Sequence, residues 1–247
     1  MLKGKTAFIT GTNRGLGKAF VEKFAQSGAN VIAHARKDSD EFRVSCSELG
    51  EKFGVKVTPI FFDMTDTAAM KDVVRDLLTV KKLSVDVLVN NAGVAHGGLF
   101  QMTAMSKIRE VFDVNLFAAM ELTQLLLRAM VRRGHGAIVN VGSISGVDMK
   151  VGNCAYGLSK AALMAFTRTL AAECGPTGVR VNAIAPGLSA TDMAKQMEEN
   201  AGREMIARSA MNRLGRPDEI AKVAVFLASD EASFVNGQIV CVDGGRA

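Results

Sequence analysis

Tyr156 is the only tyrosine in the chain, and it stands four residues before Lys160 in Tyr156-Gly157-Leu158-Ser159-Lys160. On a helix, positions i and i+4 share one face. A free phenol titrates near pH 10. An ammonium ~4 Å away favours its anion by roughly 4 kcal/mol at an effective dielectric of about 20. That bounds the shift at about 3 pK units. The spacing therefore offers a poised acid/base pair. Tyr-x-x-x-Lys also arises by chance on solvated helices, so the neighbouring residues must show what such a pair would act on.

The first turn of the chain reads Thr10-Gly11-Thr12-Asn13-Arg14-Gly15-Leu16-Gly17. It follows a strand-like run and opens a helix-like one, the context that separates a dinucleotide loop from a chance glycine cluster. Glycines let the backbone approach a pyrophosphate, and a helix N-terminus offers free N–H groups and positive dipole. Gly11, Thr12, Asn13, Arg14, Gly15, Leu16 and Gly17 are accordingly candidate cofactor contacts. The alternative is an ordinary tight turn.

The end of the second strand chooses between cofactors. A carboxylate there binds the ribose 2′-hydroxyl of NAD, and an arginine accommodates a 2′-phosphate. The residues are His34-Ala35-Arg36-Lys37, with no carboxylate before Asp38. Guanidinium forks suit phosphate, so Arg36, with Arg14, points to NADP(H). Arg36 as a plain solvated charge is the alternative. Asp63 and Met64 close the third strand, where a carboxylate can accept from an adenine amine or cap the next helix. Asn90-Asn91-Ala92-Gly93 closes the fourth, with small residues to pass beneath a cofactor and amides to tie loops together.

These residues need elements that bring strand ends to one edge. Short apolar β-type runs occupy 6–10, 30–35, 55–62, 85–89, 137–141, 179–184 and 238–242. Helical patterns occupy 15–27, 38–53, 66–82, 104–133, 153–174, 189–209 and 217–228. Gly50 interrupts the second of these. Strands alternating with helices need crossovers and a parallel sheet, whose strands read as continuous apolar runs. The fold expected is single-domain α/β over 1–247: a Rossmann-type, doubly wound, seven-stranded parallel sheet with helices on both faces. Material beyond the strand ends shapes ligand sites in such folds, so 187–212 is expected to form a substrate lid.

Composition agrees. The chain has 247 residues, 48% hydrophobic, enough to bury a large core. With no tryptophan, one tyrosine and scattered basic residues at a net charge of +5, nucleic-acid binding is disfavoured. The excess suits anionic small molecules or an acidic partner. Cys46, Cys154, Cys174 and Cys241 have neither zinc-site nor disulfide-framework spacing. They suggest reduced thiols in a cytoplasmic protein, and no metal is expected. No run of 18 apolar residues occurs, so no membrane partner is expected.

Taken in order, Thr10-Gly11-x-x-x-Gly15-x-Gly17, Asn90-Asn91-Ala92-Gly93, Asn115, Ser143, Tyr156-x-x-x-Lys160 and Pro186-Gly187 resemble the short-chain dehydrogenase/reductases over essentially the whole chain. Within that family the chain is most similar to the 3-oxoacyl-(acyl-carrier-protein) reductases. The cues are Arg14, Arg-x-Met at 128–130, Gly-x-Gly at 134–136, Arg213-Leu214-Gly215-Arg216-Pro217 and Val242-Asp243-Gly244-Gly245.

The resemblance implies the roles. Tyr156 is the general acid in reduction, Ser143 steadies the developing alkoxide, and Lys160 lowers the phenol pKa and binds the nicotinamide ribose. Asn115 positions a water leading from Lys160, and it disturbs the local helix, being a poor interior residue there. Pro186, Gly187 and Leu188 bracket the nicotinamide, and Thr191 reaches its carboxamide or a phosphate. Ser145 competes with Ser143 on sequence alone. Asn115 could serve only as a cap, and Pro186-Gly187 only as a turn.

Met193, Met197, Met205 and Met211 suit either a pocket for a flexible acyl chain or ordinary packing. Arg128, Arg132 and Arg133 suit either an acyl carrier protein or a solvated helix end. Where carrier-protein reductases often carry an arginine, this chain has Ala171-Ala172-Glu173, with Arg168 one turn earlier. Three functions are in view: reduction of a 3-oxoacyl thioester, reduction of a free ketone, sugar, polyol or steroid-like alcohol, and dinucleotide binding without catalysis. The family also implies a homotetramer built through 104–133, 153–174 and the last strand.

Overall fold

The computed structural model describes residues 1–190, 206–207 and 209–245. Seven strands form one parallel sheet: β1 (Thr6–Ile9), β2 (Asn30–Ala35), β3 (Val57–Phe61), β4 (Val87–Asn90), β5 (Gly136–Val141), β6 (Val179–Pro186) and β7 (Ile239–Val242). Their order is β3-β2-β1-β4-β5-β6-β7. The winding direction reverses between β1 and β4, so a crevice opens above their carboxyl ends. Pro59 sits within β3 because that strand is an edge, where a missing N–H costs no ladder bond.

Side chains alternate along each strand and feed two cores. Ala7, Ile9, Val31, Val87 and Val139 meet Phe20 and Phe24 of α1 (Gly15–Gln26) and Ile220 and Val225 of α8 (Pro217–Ala228). Phe8, Ile32, Leu88 and Ile138 face the other way, onto α3 (Thr67–Arg75), α5 (Ala118–Arg133) and α7 (Cys154–Cys174). Phe8, Phe20 and Phe24 are fully buried, each worth about 2–3 kcal/mol relative to exposure.

Several expected boundaries move for physical reasons. α2 (Asp40–Phe53) runs through Gly50, and the glycine is there for space: a Cβ would come 2.9 Å from the Val55 carbonyl oxygen as the chain turns back to β3. Gly54 ends the helix at φ 64°. The helix expected at 66–82 is α3 followed by a π turn at Asp76–Val80. The one expected at 104–133 is α4 (Met105–Phe112), a π turn at Asp113–Phe117, and α5. This 29-residue stretch is long and apolar enough to cross a membrane, but Leu122, Leu126 and Met130 pack it onto the sheet. A short helix, α6 (Ser145–Asp148), follows β5. Within the expected lid, 191–205 and 208 lie outside the described residues, and so do Thr191, Met193, Met197 and Met205.

Candidate active site

The glycine loop is held from both sides. Thr10 Oγ1 accepts from the backbone N–H groups of Asn91 and Ala92, each at 2.9 Å. Asn91 Nδ2 donates to the carbonyls of Thr10 (2.8 Å) and Gly11 (3.0 Å). The loops after β1 and β4 are thereby one unit. A Cβ on Gly17 would lie 2.0 Å from the Gly11 carbonyl oxygen, and one on Gly11 would lie 2.9 Å from Ala92 Cα. Gly11 also has φ 67°. No side chain fits at either place. α1 begins at Gly15, and Arg14 as N-cap makes no side-chain capping bond, so its first N–H groups have no side-chain partner there. Asn13 and Arg14 are exposed, and Gly15 and Leu16 are partly so.

Not every predicted contact faces the crevice. Thr12 is buried, its hydroxyl donating to the His34 carbonyl at 3.0 Å. The Asn90 amide turns inward: its Nδ2 donates to Asn140 Oδ1 (2.8 Å) and Thr123 Oγ1 (3.0 Å), tying β4 to β5 and α5. Met64 packs its side chain in the core. Asp63 is exposed and accepts from both the N–H and the hydroxyl of Thr65, and the cap of α3 is Asp66 instead. Those bonds, with Arg36 nearby, hold the Asp63 carboxyl below its usual range. Arg36 itself is exposed.

The catalytic candidates converge at the carboxyl end of β5. Ser143 follows that strand and is buried. Its hydroxyl is close enough to the Tyr156 phenol to oppose the upward push of burial on the phenol pKa, and its oxygen accepts from Ser145 N–H at 3.1 Å. Of the two competing serines, Ser143 is the one whose hydroxyl acts on the phenol pKa. Ile144 N–H donates to the Pro186 carbonyl, joining this loop to the end of β6. Gly187 N–H donates to Val242, and a Cβ on Gly187 would lie 2.7 Å from Asp243 Cα. Leu188 is fixed by accepting from Gly215.

Lys160 corrects the simple estimate from spacing. Its Nζ lies 6.0 Å from the Tyr156 ring centroid and donates to the Val141 carbonyl at 2.8 Å. Desolvation lowers its pKa to about 8. The Tyr156 phenol is pushed up, not down, since desolvation outweighs the opposing effect of the Ser143 hydroxyl. Without ligand the phenol therefore keeps its proton at neutral pH, as a general acid must.

Asn115 is fully buried within the π turn. Its Oδ1 accepts from Val94 N–H at 2.8 Å, and its Nδ2 donates to the Val94 carbonyl and to Ser159 Oγ, both at 3.0 Å. Both side-chain donors are engaged, which ties the loop after β4 to the Tyr156 helix. The local helix is disturbed where Asn115 stands, as π turns often are at functional sites. Both Lys160 Nζ and Asn115 Oδ1 crowd Gly93, where a Cβ would lie 3.3 and 3.1 Å from them.

A family model described as "Enoyl-(Acyl carrier protein) reductase" matches residues 11–247. The 3-oxoacyl-[acyl-carrier-protein] reductase FabG of Thermotoga maritima is 38% identical over 244 residues, 99% of this chain and 98% of that one. The chain belongs to the short-chain dehydrogenase/reductase family. The FabG of Escherichia coli is 32% identical, covering 98% of this chain and 97% of its own. Among solved structures of the family, the 3-oxoacyl-[acyl-carrier protein] reductase of Brucella melitensis has a TM-score of 0.91 at 36% identity, over 99% of this chain and 92% of that one. A provisionally assigned NAD(P)-dependent gluconate 5-dehydrogenase of Beutenbergia cavernae, solved with NADP at low occupancy, has a TM-score of 0.92 at 36% identity, over 99% and 97%.

Sequence reasoning passed over two features of this site. His34 braces the glycine loop from β2, and Gly146 and Gly157 let α6 and α7 touch. A histidine inside the apolar run Val31-Ile32-Ala33-His34-Ala35 was the available signal for the first, because a buried imidazole must find hydrogen-bond partners. The glycine contact had no sequence signal beyond residue size.

Proposed function

We propose that this chain is an NADP(H)-dependent reductase that converts a 3-oxoacyl thioester to the 3-hydroxyacyl product. The observation that carries the reading is the placement of the Ser143 hydroxyl near the Tyr156 phenol at the carboxyl end of β5, with a phenol that stays protonated at neutral pH. The glycine loop fits a dinucleotide: it has two positions no Cβ can occupy, a helix start without a side-chain cap, and exposed Arg14 and Arg36 near the ribose end.

When bound, NADPH supplies the hydride to C3 of the substrate. Tyr156 Oη gives its proton to the carbonyl oxygen, so that one hydride and one proton make the alcohol. Ser143 Oγ accepts from Ser145 N–H, which leaves its own proton to steady the developing alkoxide. Lys160, held by the Val141 carbonyl, carries the positive charge that favours the phenolate left behind. Solvent then restores the phenol.

The substrate class is supported by the rim as well as by the relatives. Gly98 N–H donates to the Gly152 carbonyl, which joins the loop after β4 to the loop that leads into the Tyr156 helix. On these two loops Leu99, Phe100, Met102, Met149 and Val151 are all exposed, an apolar edge suited to an acyl chain rather than a polyol. The gluconate dehydrogenase among the structural relatives keeps the polyol reading in view. For a carrier protein, exposed Arg128 and Arg132 on α5 are the candidate contacts. Arg133 is turned back to donate to the Val85 carbonyl. A cytoplasmic homotetramer completes the reading, supported by exposed Phe117 and Leu158 on the helices expected to pair.

The test is NADPH oxidation against acetoacetyl thioesters, gluconate-type polyols' ketones and cyclic ketones. Turnover of the thioester above the others is expected. Rapid reduction of a keto-sugar with an inert thioester would reject the reading.

A further inference from the structure

His34 lies at the carboxyl end of β2, almost fully buried, with every polar atom of its ring directed at the residues that frame the crevice. Nδ1 accepts from the Gly11 N–H at 3.2 Å. Nε2 lies 2.8 Å from the Phe62 carbonyl. A carbonyl can only accept, so the proton is on Nε2 and Nδ1 is free to accept from Gly11. The backbone takes part too, since the His34 carbonyl accepts from Thr12 N–H (2.8 Å) and Thr12 Oγ1 (3.0 Å). The ring packs on Phe62 with centroids 4.1 Å apart.

Two consecutive residues of the glycine loop therefore hang on one histidine, which in turn hangs on the residue before Asp63. Arg36 is two residues further along the same strand end. The loop shaped for pyrophosphate and the strand end shaped for the ribose 2′ substituent are linked through a single ring. The link works only for an uncharged imidazole, because a second ring proton would point at the Gly11 N–H. Burial secures that state, lowering the pKa to about 4 against the opposing pull of the Phe62 carbonyl and Asp63.

We propose that His34 is a positioning residue for the dinucleotide: its neutral Nε2–H ring fixes the glycine loop against the end of β3 and so sets cofactor affinity without touching the reacting atoms. This rests on the reading of the chain as an NADP(H)-dependent reductase. Loss of the ring leaves the Gly11 N–H and the Phe62 carbonyl without these partners and frees the loop to leave its bound geometry, which should weaken cofactor binding by about tenfold or more.

Three measurements test it. The Kd for NADPH is read by fluorescence titration, kcat is read at saturating NADPH, and the His34 tautomer is read by nitrogen-15 NMR of the wild-type protein. His34→Leu is expected to raise Kd about tenfold or more while kcat stays within about threefold. His34→Gln, which can still donate and accept, should recover part of the affinity. Unchanged Kd in folded His34→Leu overturns the proposal, and so does a loss confined to kcat. Should His34→Leu not fold, the wild-type spectrum still decides, because an Nδ1–H or doubly protonated ring at neutral pH contradicts the strut. If the wild-type protein binds no NADPH, the functional reading falls and takes this proposal with it. Wild-type binding alongside an indifferent variant overturns the proposal alone.

Discussion

Gly146 of α6 faces Ala161 of α7 across so small a gap that a Cβ built on Gly146 would lie 2.6 Å from the Ala161 backbone nitrogen. One turn away the contact recurs, with a Cβ on Gly157 lying 2.8 Å from the Ser145 carbonyl oxygen. These two contacts bring the helix of Tyr156 against the turn that follows Ser143. Gly146→Val should push α6 from α7 and draw Ser143 away from Tyr156. We expect a kcat loss of about 10²-fold, the scale of misplacing a catalytic group by about 1 Å. NADPH affinity should change little, because the glycine loop lies on other elements. Steady-state kinetics beside a cofactor titration checks this, and a variant with full kcat would show that the close contact does not position the pair.

Tyr156→Phe removes the proposed proton donor and leaves the ring. Turnover should fall by about 10²–10⁴-fold, the usual range for losing general acid catalysis. Ser143→Ala removes an alkoxide donor and should cost about 10²–10³-fold. Because the two groups act on one oxygen, the double variant should be far less impaired than the product of the two losses. Single-turnover rates in the four forms measure this, and strictly multiplicative losses would mean that the two hydroxyls act independently.

The order of strands and helices was legible because parallel strands buried on both faces leave apolar runs that helices must separate. The glycine loop and Ser143 were legible because each follows a strand at the edge where ligands bind, and Tyr156 because Lys160 stands one helical turn beyond it. Orientation was not. Asn90 and Thr12 stand in the right stretches, yet their side chains turn inward, to Asn140 and Thr123 and to His34, because buried amides and hydroxyls seek the nearest partner. The sign of the Tyr156 shift also escaped the sequence. Spacing suggested an ammonium beside the phenol, but Lys160 points to the Val141 carbonyl and burial dominates.

Arg36 is exposed at the end of β2, close enough to Asp63 to help hold that carboxyl low. Arg36→Asp replaces a fork suited to phosphate with a carboxylate suited to a ribose diol. The ratio of kcat/KM for NADPH over NADH should fall by about 10²-fold, the scale of one lost charge-assisted pair plus a repelling charge. The loss should lie in NADPH KM, with kcat nearly unchanged. Equal effects on both cofactors would place the 2′-phosphate elsewhere, with Arg14 the next residue to change.

Lys160 makes stability and activity pull in opposite directions. Its ammonium is buried, and desolvation lowers its pKa from 10.5 to about 8. In the unfolded chain it regains the ordinary value. Between the two values the unfolded chain holds a proton that the folded chain has lost, so stability of the ligand-free protein rises as pH goes from about 8 to about 10.5. Below that window the folded state bears the whole cost of the buried charge, at most about 3 kcal/mol. Lys160→Met has no such titration. It leaves the Val141 carbonyl without its donor, which offsets about 1 kcal/mol, so the variant should be about 1–2 kcal/mol more stable near pH 7. That advantage should shrink, and then reverse, toward pH 10. Turnover in the same variant should fall by about 10²-fold or more, since the charge that favours the phenolate is gone. Urea unfolding of both proteins at several pH values decides the matter. A stability gap that does not change with pH would mean that Lys160 titrates near its ordinary value, and the buried ammonium would then cost the fold nothing.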